Sequence, residues 1–441
     1  MSSFQEVVNR QYSIDELPLK DNSTYEEDYL EILSDQNPPD YSSQIRCELK
    51  DVNNFTNLSK GYLELRVRVE TNAGADIGAA DNVAVVNNIA SIFSRTVCRI
   101  NNVVVETNEL AHNCNHLKSL LEFSSDYAAS VGSNMGVSPD TDAHLATLDS
   151  LKPVDQATGT YNETHNKGFY DRRKLATENV GSYQTYHVPL THLFGCCKNK
   201  VMMNNQFSIE LTRQSDVVCL YGADAANKRI RINRCSLWLP RITPSPLVQA
   251  QLLGAISEGV VSPYMYHTWS CYDSNSVGEN SSITQRVITQ SERPVWVFTF
   301  ATLATVTAVA SPYHTPANSL ERVQCRVNGK LMPSVEFTKL NTSEGQSRAF
   351  NELAKYAASY MNSRDGILVN RDDYKNNLIV AFDCRALPEN LARSGNTIEI
   401  IATTGATGAA PGGDQRLHTC VVSEKAFDMK YGGGVPTITM M

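Results

Sequence analysis

The chain has 441 residues, 41% hydrophobic and 20% charged, with 39 Lys and Arg against 47 Asp and Glu for a net charge of −8. That hydrophobic share can bury a core and excludes a disordered chain, and the length exceeds the roughly 250–300 residues at which single cores stop growing, so two domains are expected. Residues 1–40 hold ten acids and two bases, so the whole imbalance sits there; the neutral remainder lacks the basic patch or stripe of a nucleic-acid binder.

The acidic arm comes first. Ser23-x-x-Glu26 has capping-box form, and Tyr25, Tyr29, Ile32 and Leu33 fall along one helical face. A short amphipathic helix that orders on a partner is expected. The opening MSSFQEVVNRQYSIDEL has no basic stretch before an apolar run, so no secretory leader is expected.

Beyond the arm, strands dominate. In GYLELRVRVET (61–71), Leu63, Leu65, Val67 and Val69 alternate with Glu64, Arg66, Arg68 and Glu70, the pattern of a half-buried strand. Residues 95–106, 206–212, 228–242, 377–384, 396–403 and 418–431 read the same way. Helical pattern is confined to Leu110–Phe123 and Ser347–Met361. From Pro294 to Leu320 no charged residue occurs. Its apolar part is 17 residues, contains Thr299, Thr302, Thr305 and Thr307, and falls short of the roughly 20 apolar residues of a spanning helix. It reads as a buried strand, and no transmembrane segment is expected.

The long connections at 126–182 and 404–416 are rich in Gly and polar residues, and loops of that length are usually functional or interfacial. Many strands, few helices and large insertions point to antiparallel sandwiches of the jelly-roll kind. A repeat divides the chain: Val97-Cys98-Arg99-Ile100-Asn101-Asn102 matches Gln324-Cys325-Arg326-Val327-Asn328-Gly329, each a strand entering a tight turn and followed by a helical stretch. Pro240, Pro244 and Pro246 are expected to interrupt pairing at the seam, with apolar Leu247–Ile256 as the bridge. The domains are then an arm, 1–40, and two sandwiches, 41–255 and 256–441.

Chemical motifs are sparse. No P-loop, G-x-G-x-x-G, H-E-x-x-H or G-x-S-x-G occurs. His112, Cys114 and His116 would share a face as zinc ligands in an extended segment, with Glu122 downstream; in a helix, that spacing scatters them. Asp140, Asp142 and His144 suit a hard cation but read more simply as an acid-rich turn. Cys196-Cys197 reads as a buried turn rather than a redox pair, Arg172-Arg173-Lys174 as a solvated loop, and Glu64, Glu210 and Glu399 as outward residues of alternating strands rather than a hydrolytic carboxylate pair. Eleven cysteines, an odd number without C-x-x-C, read as reduced thiols. No catalytic, cofactor or metal residue is assigned, and the chain reads as a non-enzyme.

Several blocks resemble the major capsid proteins of Polinton (Maverick) elements, adintoviruses and virophages. NNIASIFSRTVCRINNVVVE (87–106) is similar to that family's short helix, Ser-Leu-Phe-like step and strand ending in Leu-Asn-Gly, with Asn102 in place of the Gly. NKGFYDRRKLATE (166–178) resembles its Asn-x-Gly-x-x-x-Arg stretch, and residues 188–220 its Leu-Phe followed by Leu-x-Asn and Leu-x-Arg strands. Residues 228–246 resemble the strand closing its first jelly roll, 322–334 its Asn-Gly strand, and 370–384 its Tyr to Phe-x-Phe-Asp block. The matches run in order through about residues 60–430, in a chain somewhat short for the family.

The resemblance implies an all-β chain of two consecutive eight-stranded jelly rolls, with short helices in the loops. Three copies would form a pseudo-hexameric capsomer tiling an icosahedral shell in the virion, after synthesis in the host cytosol. The expected partners are further copies of itself, through loop 126–182, and minor capsid, penton or cement proteins through the acidic arm. No specific nucleic-acid contact and no cofactor is implied. The alternative is a β-sandwich that binds or processes glycans; it would need an export signal and a carboxylate pair in a cleft.

Overall fold

The computed structural model describes residues 24–50, 55–78, 81–140, 166–177, 181–198, 201–289, 293–305, 311–313, 315–316, 319–360, 366–371, 374–386, 395–405, 414–431 and 435–440. The first strands are β1 (Thr24–Leu33), β2 (Gln44–Leu49), β3 (Phe55–Thr56), β4 (Tyr62–Thr71), β5 (Ala84–Val85), β6 (Phe93–Ile100) and β7 (Val103–Glu109). Then come β8 (Gln184–Pro189), β9 (Met202–Met203), β10 (Phe207–Arg213), β11 (Leu220–Tyr221) and β12 (Lys228–Pro244). The second half has β13 (Val261–Val277), β14 (Ser282–Thr289), β15 (Arg293–Leu303), β16 (Leu320–Val327) and β17 (Lys330–Phe337). It ends with β18 (Val380–Asp383), β19 (Asn396–Thr404), β20 (Gln415–Lys430) and β21 (Thr437–Met440). Helices are α1 (Ala111–Glu122), α2 (Ser125–Ala129), α3 (Lys167–Thr177), α4 (Leu190–Leu193), α5 (Asp216–Cys219), α6 (Pro246–Ser257) and α7 (Ser343–Lys355).

The strands stack as two sandwiches. In the first, the sheet β8-β4-β12-β3-β9, with β1 also on β12, closes a core against β2-β10-β6-β7. In the second, β13-β20-β15-β18, with β21 on β20, closes against β14-β19-β16-β17. Alternation sets the register: Leu63, Leu65, Val67 and Val69 of β4 all face inward. A slip by one residue would expose all four, at about 1.5–3 kcal/mol each.

The repeat extends to individual hydrogen bonds. The β6–β7 hairpin turns through Asn101 (φ 51°) and Asn102 (φ 64°), the β16–β17 hairpin through Asn328 (φ 50°) and Gly329 (φ 79°). Both residues of each turn are left-handed, the conformation a two-residue hairpin needs, and one that Asn tolerates. Asn101 Oδ1 accepts the Gln206 N–H and its Nδ2 donates to Asn205 Oδ1, both at 2.8 Å. Asn328 makes the same two bonds, to Thr397 N and Asn396 Oδ1, again at 2.8 Å.

The halves interlock rather than merely touch. Cys114, Leu117, Leu120 and Leu121 of α1 belong to the second core, while Tyr264, Tyr266, Phe427, Met429 and Ile438 belong to the first. Tyr266 Oη donates to Val105 O at 2.6 Å across the seam.

Three expectations are corrected. The arm segment from Thr24 is a strand, not a helix; Ser23, its supposed cap, lies outside the described residues. β12 carries β4 and β3 along one edge and offers β1 its other edge over Ser236–Pro244. Opposite charges line that edge, Arg234 with Glu31 and Arg241 with Asp28 at 3.3 Å, while Lys60 holds Glu27 at 2.8 Å. Pro240 and Pro244 do not interrupt pairing. Pro240 falls between the β4 ladder and the β3 bridge that begins at Arg241, where no partner needs its missing N–H.

Arg172-Arg173-Lys174 is not a solvated loop; it lies on α3, with Arg172 and Arg173 buried. As expected, Pro294 enters the buried strand β15. Among the described residues, no helix is long and apolar enough to cross a membrane.

Candidate functional site

The sequence candidates end up dispersed or satisfied. On α1, His112 sits against the Gln214 amide, at 3.3 Å from Nε2, while His116 stacks on the Tyr313 ring with centroids 4.1 Å apart. Cys114 points elsewhere, toward the Cys271 and Cys420 thiols. The helix therefore scatters the three, and Glu122 instead accepts a 3.2 Å bond from Tyr356 Oη. Asp140 is taken up by Arg172 Nη2 at 2.7 Å and Tyr221 Oη at 2.8 Å; Asp142 and His144 lie outside the described residues.

The strand acids point outward and pair with bases: Glu210 with Arg99 at 2.8 Å, Glu399 with Arg286 at 3.0 Å, and Glu64 with His187 at 3.6 Å. They lie on three different sheets and converge on no cleft. Cys196 and Cys197 form a buried 3₁₀ turn, Gly195–Lys198.

Sequence reasoning missed the buried polar groups that lock the loops. Arg172 of α3 is the main one. Nε donates to Val85 O at 2.9 Å, Nη1 to Ser138 O, and Nη2 to both Asp140 and Tyr221 Oη. One guanidinium thus joins α3, β5, β11 and the chain at 138–140. Lys118 of α1 is a second such group, buried and donating to His192 O at 2.8 Å. Glu70 is a third, wholly buried between Arg68 at 2.8 Å, Arg229 at 2.9 Å and the Tyr41 hydroxyl. Burial pushes the Glu70 carboxyl up, but hydrogen bonds from Tyr41, Arg68 and Arg229 outweigh it and hold the group below the ordinary range.

The buried histidines make the fold acid-sensitive. Burial lowers His112 to about 4 and His116 to about 3, and drives His192 well down. Each is neutral when folded and regains a pKa near 6.5 on unfolding, so below about pH 6.5 the unfolded chain binds more protons. Stability is complete above that pH and falls as pH drops toward the folded values, by up to about 1.4 kcal/mol per pH unit for each histidine. Urea midpoints at about pH 7.5 and about pH 5 should show the loss, and His116→Phe should remove about a third of it. A midpoint independent of pH over that range would contradict the burial of these rings.

Comparison with known proteins rests on this geometry. Residues 133–406 match the family model described as the double jelly roll-like domain. The chain belongs to this family. No curated protein matches its sequence. Among solved structures, a chain of the Sputnik virophage seen by cryo-EM is similar over 100% of this chain and 93% of that one, with TM-score 0.63 and 11% identity. The mavirus major capsid protein is similar over 100% and 96%, with TM-score 0.53 and 11% identity. PBCV-1 VP54, fitted into a reconstruction of Sputnik, is similar over 96% and 99%, with TM-score 0.55 and 10% identity. At these identities the likeness establishes the double jelly roll fold.

Proposed function

We propose that this double jelly roll chain is a major capsid protein of the Polinton, adintovirus and virophage type. In this reading it is a structural subunit without catalytic chemistry, and its homotrimers form the pseudo-hexameric capsomers of an icosahedral DNA-virus shell. The observation that carries the reading is two equivalent jelly rolls, locked side by side, in a chain that spans virus and virophage capsid structures from end to end. Two similar halves taken three times give six near-equivalent sides, and a head-to-tail contact repeated three times closes a ring.

Exposed apolar side chains support self-association. Leu247, Leu253, Val260 and Val261 gather on α6 and the start of β13. An apolar patch of this kind marks a contact surface, and in this reading a neighbouring copy covers it. The division at residue 255 falls within α6, which makes that helix the connector between the two jelly rolls, 41–255 and 256–441.

The acids Glu27, Asp28 and Glu31 are already paired within the chain. Docking of a basic minor capsid, penton or cement protein therefore falls to Glu6, Asp15, Glu16 and Asp21. The place of work is the virion, after synthesis in the host cytosol.

Light scattering on the purified full chain tests the proposal. The expected species has three times the 48.7 kDa monomer mass, or is a larger particle built from it. A chain that stays monomeric at high concentration and binds glycans overturns it.

A further inference from the structure

Three thiols meet at the seam between the jelly rolls. Cys98 comes from β6, and Cys196 and Cys197 from the turn Gly195–Lys198; all three are fully buried. Their sulfurs lie within 4.8 Å of one another, with Cys98 Sγ and Cys196 Sγ 3.5 Å apart. Two sulfurs bound at about 2.3 Å to one tetrahedral ion stand about 3.8 Å apart, so the observed spacing is close to that of ligands sharing a metal and far from the roughly 2.05 Å of a disulfide.

A carboxylate stands near them. Glu106 of β7 is the cross-strand partner of Cys98 and therefore projects from the same face of the sheet. Its carboxylate is buried, at 1% exposure, and makes no ion pair among the described residues. Oε2 accepts the Cys196 N–H at 3.0 Å and Oε1 accepts the Thr268 hydroxyl at 3.0 Å, which leaves lone pairs free on both oxygens. The carboxylate thus ties the Gly195–Lys198 turn to β7 and β13.

We propose that Cys98, Cys196 and Cys197 form a three-thiolate site for a zinc-class divalent ion at the seam between the two jelly rolls. Three thiolates suit zinc, with an oxygen donor in the fourth tetrahedral position. As the ion binds, the three thiols release their protons to solvent. Glu106 accepts the Cys196 N–H through Oε2 and the Thr268 hydroxyl of β13 through Oε1, so the site lies where the Gly195–Lys198 turn meets the second jelly roll. The other group of potential ligands, Cys271, Asp273 and His418, is already internally satisfied, with His418 Nδ1 bonded to Asp273 Oδ1 at 2.5 Å.

The test is metal analysis of the full chain purified without chelator and dialysed against zinc. About one zinc per chain is expected, lost in Cys98→Ser and Cys197→Ser and kept in Cys114→Ser, whose thiol belongs to the separate Cys271–Cys420 cluster. Loading wild type with cobalt should add a thiolate-to-metal charge-transfer band, a readout that needs no variant to fold. Folded wild type that takes up neither metal, or zinc lost from Cys114→Ser but retained by Cys98→Ser, overturns the assignment.

Discussion

Replacing Gly195 by alanine is expected to destabilise the folded chain by about 3 kcal/mol, the upper range for overpacking a tight site. A Cβ at this position would lie 1.7 Å from His267 O and 2.9 Å from His267 C. Both are backbone atoms of β13, so no side chain can swing aside; the turn or the strand must move. Because Tyr266 and Thr268 flank His267 and carry the seam bonds to Val105 and Glu106, any such movement also weakens those two bonds. Gly254 of α6 is the matched control. Nothing lies within 4 Å of its Cβ position, so Gly254→Ala should raise stability by up to about 1 kcal/mol through helix propensity. Urea unfolding followed by the fluorescence of Trp238, Trp269 and Trp296 covers both halves. Equal midpoints for Gly195→Ala and wild type would show that the turn does not abut β13.

The second large effect is expected at Arg172. Its side chain is 3% exposed and its ion-pair partner Asp140 is 7% exposed, so Arg172→Met leaves a buried carboxylate unpaired and the Val85 and Ser138 carbonyls without their donor. Breaking such a pair costs about 3–5 kcal/mol. Arg172→Lys keeps the charge but cannot reach four acceptors from one planar fork, so it should recover only part of the loss. The double variant Arg172→Met with Asp140→Asn should be more stable than the sum of the singles, by about 1–3 kcal/mol. Strict additivity would mean that the two side chains do not interact.

What could be read from the sequence was local. The turns at Asn101 and Asn328 were legible because a two-residue hairpin writes its demand for left-handed residues into adjacent positions. β4 was legible because one of its faces is buried along its whole length. β1 was misread because Tyr25, Tyr29, Ile32 and Leu33 satisfy a helical period, while the strand is set by the distant edge of β12 and the charges of Arg234 and Arg241. β13 was missed because its ladder partner β20 lies about 150 residues away and its far end, Asp273–Ser276, is polar. α1 was found as a helix, but nothing in its sequence tells that it serves the second core. Arg172 was out of reach for the same reason: Val85, Ser138, Asp140 and Tyr221 come from three separate stretches of chain.

The course of the long strands gives the molecule two chemically distinct addresses. Thr24 pairs with Pro244, α6 follows at once, and Val261 and Thr437 both pair with Lys430, so Thr24, α6 and the starts of β13 and β21 share one pole. β13 then runs seventeen residues to Val277, about 55 Å away at strand rise, where it pairs with Gln415. A peptide or fluorescent domain joined directly to Thr24 is delivered to the α6 pole. The same cargo spliced into the tight connection between Val277 and Ser282 is displayed at the other. Wherever such chains pack side by side with a common polarity, the choice between end fusion and internal insertion decides which surface of the layer is decorated.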